Sequence, residues 1–205
     1  MHYNLTKEII NLSVSKFWDT AKDEWNFEYA YQSEEPQTCL CGHYPIKNIC
    51  VIKNQENDNE TEVGNCCINK FLGIDSGNKI FDSIKRLKDD ISKSMSAEVL
   101  EYMNDKKVIT QYEYDFYTDT LRKRKLTDKQ LAVREKINQK LLDFTSYETN
   151  SVLSKIDKVI KWAASHEEFN SEYVESLKAS SKRNGRLTEK QSQALDNIIK
   201  KWKIN

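Results

Sequence analysis

The spacing of apolar residues along the chain changes character twice. In the first segment, residues 1–35, apolar side chains recur every three or four positions with charged residues between them, which is the pattern of an amphipathic helix. The members of this apolar stripe are Val14, Phe17, Trp18, Ala21 and Trp25. The spacing predicts a helix over residues 12–31, which ends before Pro36 because the residue preceding a proline disfavours the helical conformation.

The second segment, residues 36–73, follows the pattern of β-strands. Residues 46–52 are rich in β-branched side chains, residues 54–60 are polar, and residues 61–63 return to strand-forming types. This order predicts a hairpin with a long loop, followed by one or two helical turns. We therefore expect a small α+β insert in this segment.

Beyond residue 80 the helical spacing returns, and the chain contains a duplicated motif. The sequence LTDKQ at Leu126–Gln130 recurs as LTEKQ at Leu187–Gln191. In each copy the Thr and the Gln three positions later form a capping box, which marks a helix N-terminus. Residues 80–205 are therefore predicted to form a helical region with a tandem helix–loop–capped-helix repeat. The apolar spacing of residues 108–117 fits either a strand or a helix, and the repeat favours a helix there.

These patterns together predict a mostly α protein with a small α+β insert and helical hairpins in its C-terminal part. Only five Gly and two Pro occur in 205 residues, and neither Pro lies beyond position 45, so little interrupts the helices there. Lysines and arginines balance the acidic residues at 32 each. The balance conceals a gradient, since residues 1–35 hold three basic and seven acidic residues, whereas the stretch after residue 79 has a net charge of +5.

No apolar run approaches the roughly 20 residues that span a bilayer, and the N-terminus lacks the features of a signal peptide. We therefore expect a cytoplasmic protein with no membrane partner. In a reducing compartment, clustered cysteines bind metals more often than they form disulfides.

Four of the five cysteines lie in two short groups on either side of the predicted hairpin. The hairpin would bring the groups together, and thiolates in such a pair of groups are the ligands that a structural zinc ion prefers. This order of knuckle, hairpin and ligand-bearing helix start is like a treble-clef zinc finger. The predicted ligands of this Zn²⁺ are Cys39, Cys41, His43 and Cys67.

The fourth of these ligands is open, because His43, Cys50 and Cys66 are all near enough in sequence. His43 is preferred since it follows Cys41 on the same turn, whereas Cys50 has the pattern of a small core residue within a strand. Two other interpretations of the cluster are reduced buried thiols and a redox switch that uses Cys66.

The same residues resemble a known type of module. The pattern CxCGxxxI, then an Asn after a strand, then VGxxCIxxF is similar to a small cysteine module of phage and large DNA virus proteins. The matching positions are Cys39, Cys41, Gly42, Ile46, Asn54, Val63, Gly64, Cys67, Ile68 and Phe71. The resemblance covers about residues 38–72 and implies a metal-binding module in a phage protein that handles nucleic acid; it implies no enzymatic activity.

Two basic groups in the repeat are candidate phosphate contacts, because each precedes a capped helix N-terminus. The predicted nucleic-acid-binding residues are Arg122, Lys123, Arg124, Lys125, Lys182, Arg183 and Arg186. Nearby aromatic residues could stack on bases. A solvated loop, or a loop that contacts an acidic protein, is the alternative.

The chain contains only three His and no glycine-rich phosphate loop, and no Ser/His/Asp arrangement is defensible, so a non-enzymatic role is favoured. The sequence thus predicts a zinc-stabilised, phage-encoded nucleic-acid-binding protein. The alternative is a phage inhibitor or adaptor that docks on a host protein through the acidic helix. The oligomeric state is left open.

Overall fold

The computed structural model describes residues 3–72, 76–166 and 168–204. Helices dominate it, and its strands form a small antiparallel sheet. The chain divides into two compact units, Met1–Arg86 and Leu87–Asn205. None of the described helices is both long and apolar enough to cross a lipid bilayer.

The first unit contains helices α1 and α2, strands β1 to β3, helix α3 and most of helix α4. Their bounds are α1 Tyr3–Leu12, α2 Trp18–Ala21, β1 Trp25–Gln37, β2 Ile46–Asn54, β3 Glu60–Gly64, α3 Asn65–Leu72 and α4 Ser76–Asp89. The strand order is β1-β2-β3, and both pairings are antiparallel. The predicted hairpin and the short helix after it are therefore confirmed.

The predicted helix over residues 12–31 is wrong. Helix α1 ends at Leu12, and β1 begins at Trp25, where it pairs with Asn54 at the far end of β2. Aromatic residues at positions 25, 27, 29 and 31 alternate with other types, and this two-residue period is the strand signal that the helical stripe obscured. Trp25 is buried, so the apolar stripe that contains Trp18 and Trp25 does not form one continuous surface.

Buried polar groups hold the segment between α1 and β1. The carboxylate of Glu24 accepts hydrogen bonds from the backbone N–H groups of Val14 and Ser15, at 2.8 and 2.7 Å, and from Asn54 Nδ2 at 2.7 Å. Burial opposes ionisation of Glu24, but these hydrogen bonds outweigh it and lower the pKa of the carboxyl. Asn54 Oδ1 in turn accepts from the N–H of Glu56 at 2.8 Å, so one amide joins β2, its turn and this carboxylate.

The second unit contains the remaining helices. Their bounds are α5 Ala97–Asp105, α6 Gln111–Thr120, α7 Asp128–Phe144, α8 Tyr147–Ala163, α9 Glu172–Asn184 and α10 Glu189–Trp202. Both predicted capping boxes are present, with Thr127 and Thr188 as the N-caps of α7 and α10. The ambiguous residues before position 118 belong largely to α6, which has a capping box of its own at Thr110.

A buried hydrogen-bond network joins α6 and α7. The hydroxyl of Tyr117 donates to Asn138 Oδ1 at 2.6 Å and accepts from the N–H of Met95 at 2.9 Å. Asn138 Nδ2 donates to the carbonyl groups of Ile91 and Lys93, at 2.6 and 2.7 Å. Because each group in this chain has a partner, the network can specify how the two helices pack without the cost of an unmet polar group.

The second copy of the repeat forms its own apolar core between α8, α9 and α10. Its buried members are Ile156, Val159, Val174, Leu177, Leu187, Leu195 and Ile204. The loop before α10 begins at Gly185, whose φ of 70° is left-handed, and a Cβ there would overlap the Cβ of Asp143. Upstream of the repeated motif, Tyr117 and Tyr173 resemble each other in sequence, each lying four residues before a leucine. They differ in packing, because Tyr117 is buried whereas Tyr173 is 47% exposed.

Candidate metal centre and basic segments

Two structural elements supply the sulfur atoms of the cysteine cluster. Cys39 and Cys41 lie in the turn after β1, where the N–H of Gly42 donates to the carbonyl of Cys39 at 2.7 Å and the N–H of Cys39 donates to the carbonyl of His43 at 2.9 Å. Gly42 has a φ of 87°, which favours glycine at the tip of this turn. Cys67 comes from the first turn of α3, to which β3 leads directly. The hairpin therefore delivers the two cysteine groups to one place.

The geometry of the three sulfurs fits a metal ion. The ligand atoms of Cys39, Cys41 and Cys67 all lie within 4.8 Å of one another, and the Sγ atoms of Cys39 and Cys67 are 3.6 Å apart. Thiolates at about 2.3 Å from a tetrahedral zinc ion would be separated by about 3.8 Å. All three residues are at most 7% exposed. These three cysteines could therefore hold a metal ion with little rearrangement.

Local hydrogen bonds favour the thiolate form of one of the sulfurs. The pKa of Cys39 is lowered to about 5, mainly by the Cys67 thiol, and with help from the backbone N–H of Gly64, which lies 3.2 Å from Cys39 Sγ. The same pairing raises the pKa of Cys67, because its thiolate would face the charge of Cys39. A bound cation would remove this repulsion, since metal ligands are deprotonated and the ion takes the place of the shared proton.

The predicted fourth ligands do not join this cluster. The group of metal-ligating side chains formed by the described residues contains neither His43 nor Cys66, both of which are exposed. Cys50 is buried within β2, and desolvation, together with the charge of Cys39, raises the pKa of its thiol to about 12. Cys50 therefore fits the interpretation of a small core residue.

Side chains at four consecutive positions, 122–125, form the first basic segment, in the loop between α6 and α7. All four are exposed, and within the described part of the chain no carboxylate forms an ion pair with them. In the second basic segment, residues 182–186, Arg183 and Arg186 are exposed and Lys182 is half-buried.

The two basic segments lie at opposite ends of α7. The first precedes its N-cap, Thr127, whereas Gly185 of the second is in contact with Asp143 near the C-terminal end of the same helix. At 1.5 Å per residue, about 24 Å of helix separates these positions. The segments therefore cannot hold one phosphate between them. Of the aromatic residues near the first segment, Tyr117 is buried and hydrogen-bonded, which removes it as a stacking platform, while Tyr112 is 73% exposed.

The sequence patterns missed the structural role of two buried polar residues in the first unit. Glu24 and Asn54 are buried and paired, and their hydrogen bonds join the segment after α1 to the end of β2 and its turn. Asn54 is one of the positions that carry the resemblance to a cysteine module, and this was the available signal for its importance. Glu24 had no such signal, because its partners come from distant or irregular parts of the chain.

In comparisons with known proteins, no protein-family model matched this chain, and no curated protein or solved structure matched it either. The class that fold and site define is a mostly helical protein with a small antiparallel sheet and a three-cysteine cluster that could hold a metal ion.

Proposed function

We propose that this chain is a non-enzymatic, zinc-stabilised protein that binds nucleic acid through its second unit. The three-cysteine cluster is the ground for proposing a zinc ion. The exposed basic segment 122–125 is the ground for proposing a nucleic-acid partner. The observation that carries the binding proposal is that four consecutive cationic side chains are exposed without ion-pair partners among the described residues, next to the N-terminus of α7.

The zinc ion would be structural. Cys39, Cys41 and Cys67 would hold it, and it would cross-link the turn after β1 to the start of α3. The order of cysteine turn, hairpin and ligand-bearing helix supports a treble-clef-like arrangement. His43, the predicted fourth ligand, would have to rotate its side chain from solvent towards the cluster.

Phosphate groups are the ligands that suit the basic segment. Exposed lysines and arginines release counterions when they contact phosphates, so binding should weaken steeply as salt rises. With a separation of about 24 Å between the two basic segments and about 3.4 Å of duplex axis per phosphate of one strand, a duplex that contacts both must exceed about seven base pairs. Shorter duplexes would reach one segment only.

A fluorescence-anisotropy titration with a generic duplex at several salt concentrations tests this proposal. Loss of four phosphate contacts in the variant Arg122→Glu/Lys123→Glu/Arg124→Glu/Lys125→Glu should lower the salt slope by about 3.6, since each contact contributes about 0.9. A matched control, Lys182→Glu/Arg183→Glu/Arg186→Glu, should weaken binding of long duplexes but leave that of very short ones unchanged. Wild-type protein that shows no salt-dependent binding at low salt would sink the proposal.

A protein-binding adaptor is the second candidate. The acidic helix that first favoured this role is not formed, and its residues 25–31 are part of strand β1. Val14 and Phe17 are nevertheless 58% and 80% exposed. The carboxylate of Glu24 holds their segment by accepting from the backbone N–H of Val14. Failure of nucleic-acid binding, together with capture of a partner that a Phe17→Ser variant loses, would favour this role.

A cytoplasmic location and a phage origin stay predictions of the sequence.

A further inference from the structure

A buried arginine lies directly beneath the first basic segment. Arg134, in the second turn of α7, is only 6% exposed, and its Nη2 donates to the carbonyl of Thr120 at 2.5 Å. The backbone N–H of Lys123 donates to the same carbonyl at 3.0 Å. One oxygen atom therefore joins the buried guanidinium to the turn that begins the basic segment.

The charge of Arg134 is not balanced by a carboxylate. Among the described residues no acidic side chain forms an ion pair with it, and its Nε is buried without a hydrogen-bond partner. The ring of Tyr117 lies 5.5 Å from the guanidinium carbon, and the carbonyl end of α6 offers a partial negative charge, but neither carries a full countercharge. A guanidinium keeps its charge in proteins, so a buried cation remains here.

The surroundings add positive charge to the same place. Four exposed cations follow Thr120 within five positions, and the nearest acidic residues along the chain, Asp119 and Asp128, form no ion pair with them. Like charges so close together repel, and an anion that binds among them would relieve this repulsion. The segment leads directly to the N-terminus of α7, which adds a positive partial charge.

We infer that Arg134 and the segment 122–125 form one phosphate-binding site, in which Arg134 is a positioning residue that holds the turn and contributes buried charge. This inference rests on the proposed function and deepens it, because it adds a buried residue, Arg134, to the site whose exposed side chains contact phosphate. Arg134 acts through the Thr120 carbonyl; the exposed side chains make the contacts.

The first experiment compares Arg134→Gln and Arg134→Lys with Lys136→Gln, an exposed lysine on the same helix, in duplex-binding titrations. We expect Arg134→Gln to weaken binding by about three- to tenfold, in the range of the loss of one phosphate contact or somewhat more. Arg134→Lys should restore part of this loss, because lysine keeps the charge but not the planar fork that reaches Thr120. A folded Arg134→Gln protein that binds like wild type would overturn the inference.

The second experiment uses only the wild-type protein, so it does not depend on whether an Arg134 variant folds. Inorganic phosphate is titrated into the wild-type protein at constant ionic strength, and the Nε resonance of Arg134 is followed by NMR. We expect this resonance and those of the segment 122–125 to shift together, while that of Arg86, an exposed arginine outside both basic segments, stays in place. A shift of the segment without any change at Arg134 would contradict the inference.

The two probes separate the two proposals. Phosphate binding at Arg134 without duplex binding would overturn the proposed function and leave the phosphate site standing. Duplex binding that depends on residues 122–125 but is unchanged by substitution of Arg134 would overturn the inference about Arg134 and leave the proposed function standing. Absence of both would overturn both.

Discussion

The cysteine module and the helical unit are held together in different ways. In the region that contains the module, residues 24–72, side chains from distant positions meet at a few points: the three sulfurs, the Glu24–Asn54 pair and the pairing of β1 with β2. In the helical unit, α5, α6, α7, α8 and α10 each begin at a side-chain N-cap, and the core of the second copy lies between consecutive helices. Local interactions thus specify the second region, and long-range ones specify the first.

This comparison predicts that single changes have the largest effects where one contact joins distant elements. Replacement of Cys67 by Ser should abolish metal binding, because only two clustered thiolates would remain among the described residues. Native mass spectrometry should then show a stoichiometry that falls from one zinc ion to none, with a large drop in the melting temperature of the first unit. The matched control is Cys66→Ser at the exposed neighbouring position, and an equal loss there would mean that the wrong cysteine has been assigned.

The largest expected effect in the helical unit is that of Gly185→Ala. An alanine there must adopt a left-handed φ and overlaps Asp143, which together should destabilise the unit by about 3 kcal/mol. Chemical denaturation followed by circular dichroism measures this loss. Ser176→Ala, at an exposed position in α9, the helix that ends just before Gly185, is the control and should change stability by less than about 0.5 kcal/mol. A Gly185→Ala protein as stable as that control would show that the loop can adopt another path.

Loss of a cap should cost less, and should cost the same in both copies of the repeat. Thr127→Ala and Thr188→Ala each remove the hydroxyl that accepts from the N3 backbone N–H, so each should destabilise the protein by about 1 kcal/mol. Denaturant midpoints of the two variants, with Ser as a replacement that keeps the cap, provide the measurement. A clear difference between the copies would indicate that tertiary contacts, rather than the caps, secure one of the helices.

The smallest effect concerns pH and the first unit. The lowered pKa of Glu24 means that its contribution to stability is fully present above the ordinary carboxyl pKa of about 4.3 and is lost as the pH falls through the lower value of the folded state. A Glu24→Gln variant should therefore lose less stability than wild type between about pH 5 and pH 3. Thermal melts of the metal-free proteins across this range test it, with Glu28→Gln as an acidic control on β1. Parallel profiles for wild type and Glu24→Gln would contradict the assigned role.

The outcome of the sequence predictions follows the same division. The capping boxes at Thr127 and Thr188 were recognisable because a cap depends on residues three positions apart. The hairpin was recognisable from its β-branched run and polar turn, and the choice of Cys67 over Cys66 agrees with the cluster. Strand β1 was missed because apolar residues at 14, 17, 18, 21 and 25 satisfied a helical period, while pairing with β2 decided the conformation.

The sequence by itself determined the helices of the second unit, their caps, the hairpin and the identity of the clustered cysteines, because these depend on neighbouring residues or on ligand chemistry. Only the tertiary structure decided that residues 25–37 form a strand, that His43 faces solvent, that Glu24 meets Asn54 and that Arg134 lies beneath the basic segment. Each of these depends on groups that the folded chain brings together from elsewhere, and the free energy of such contacts is not encoded in any local period.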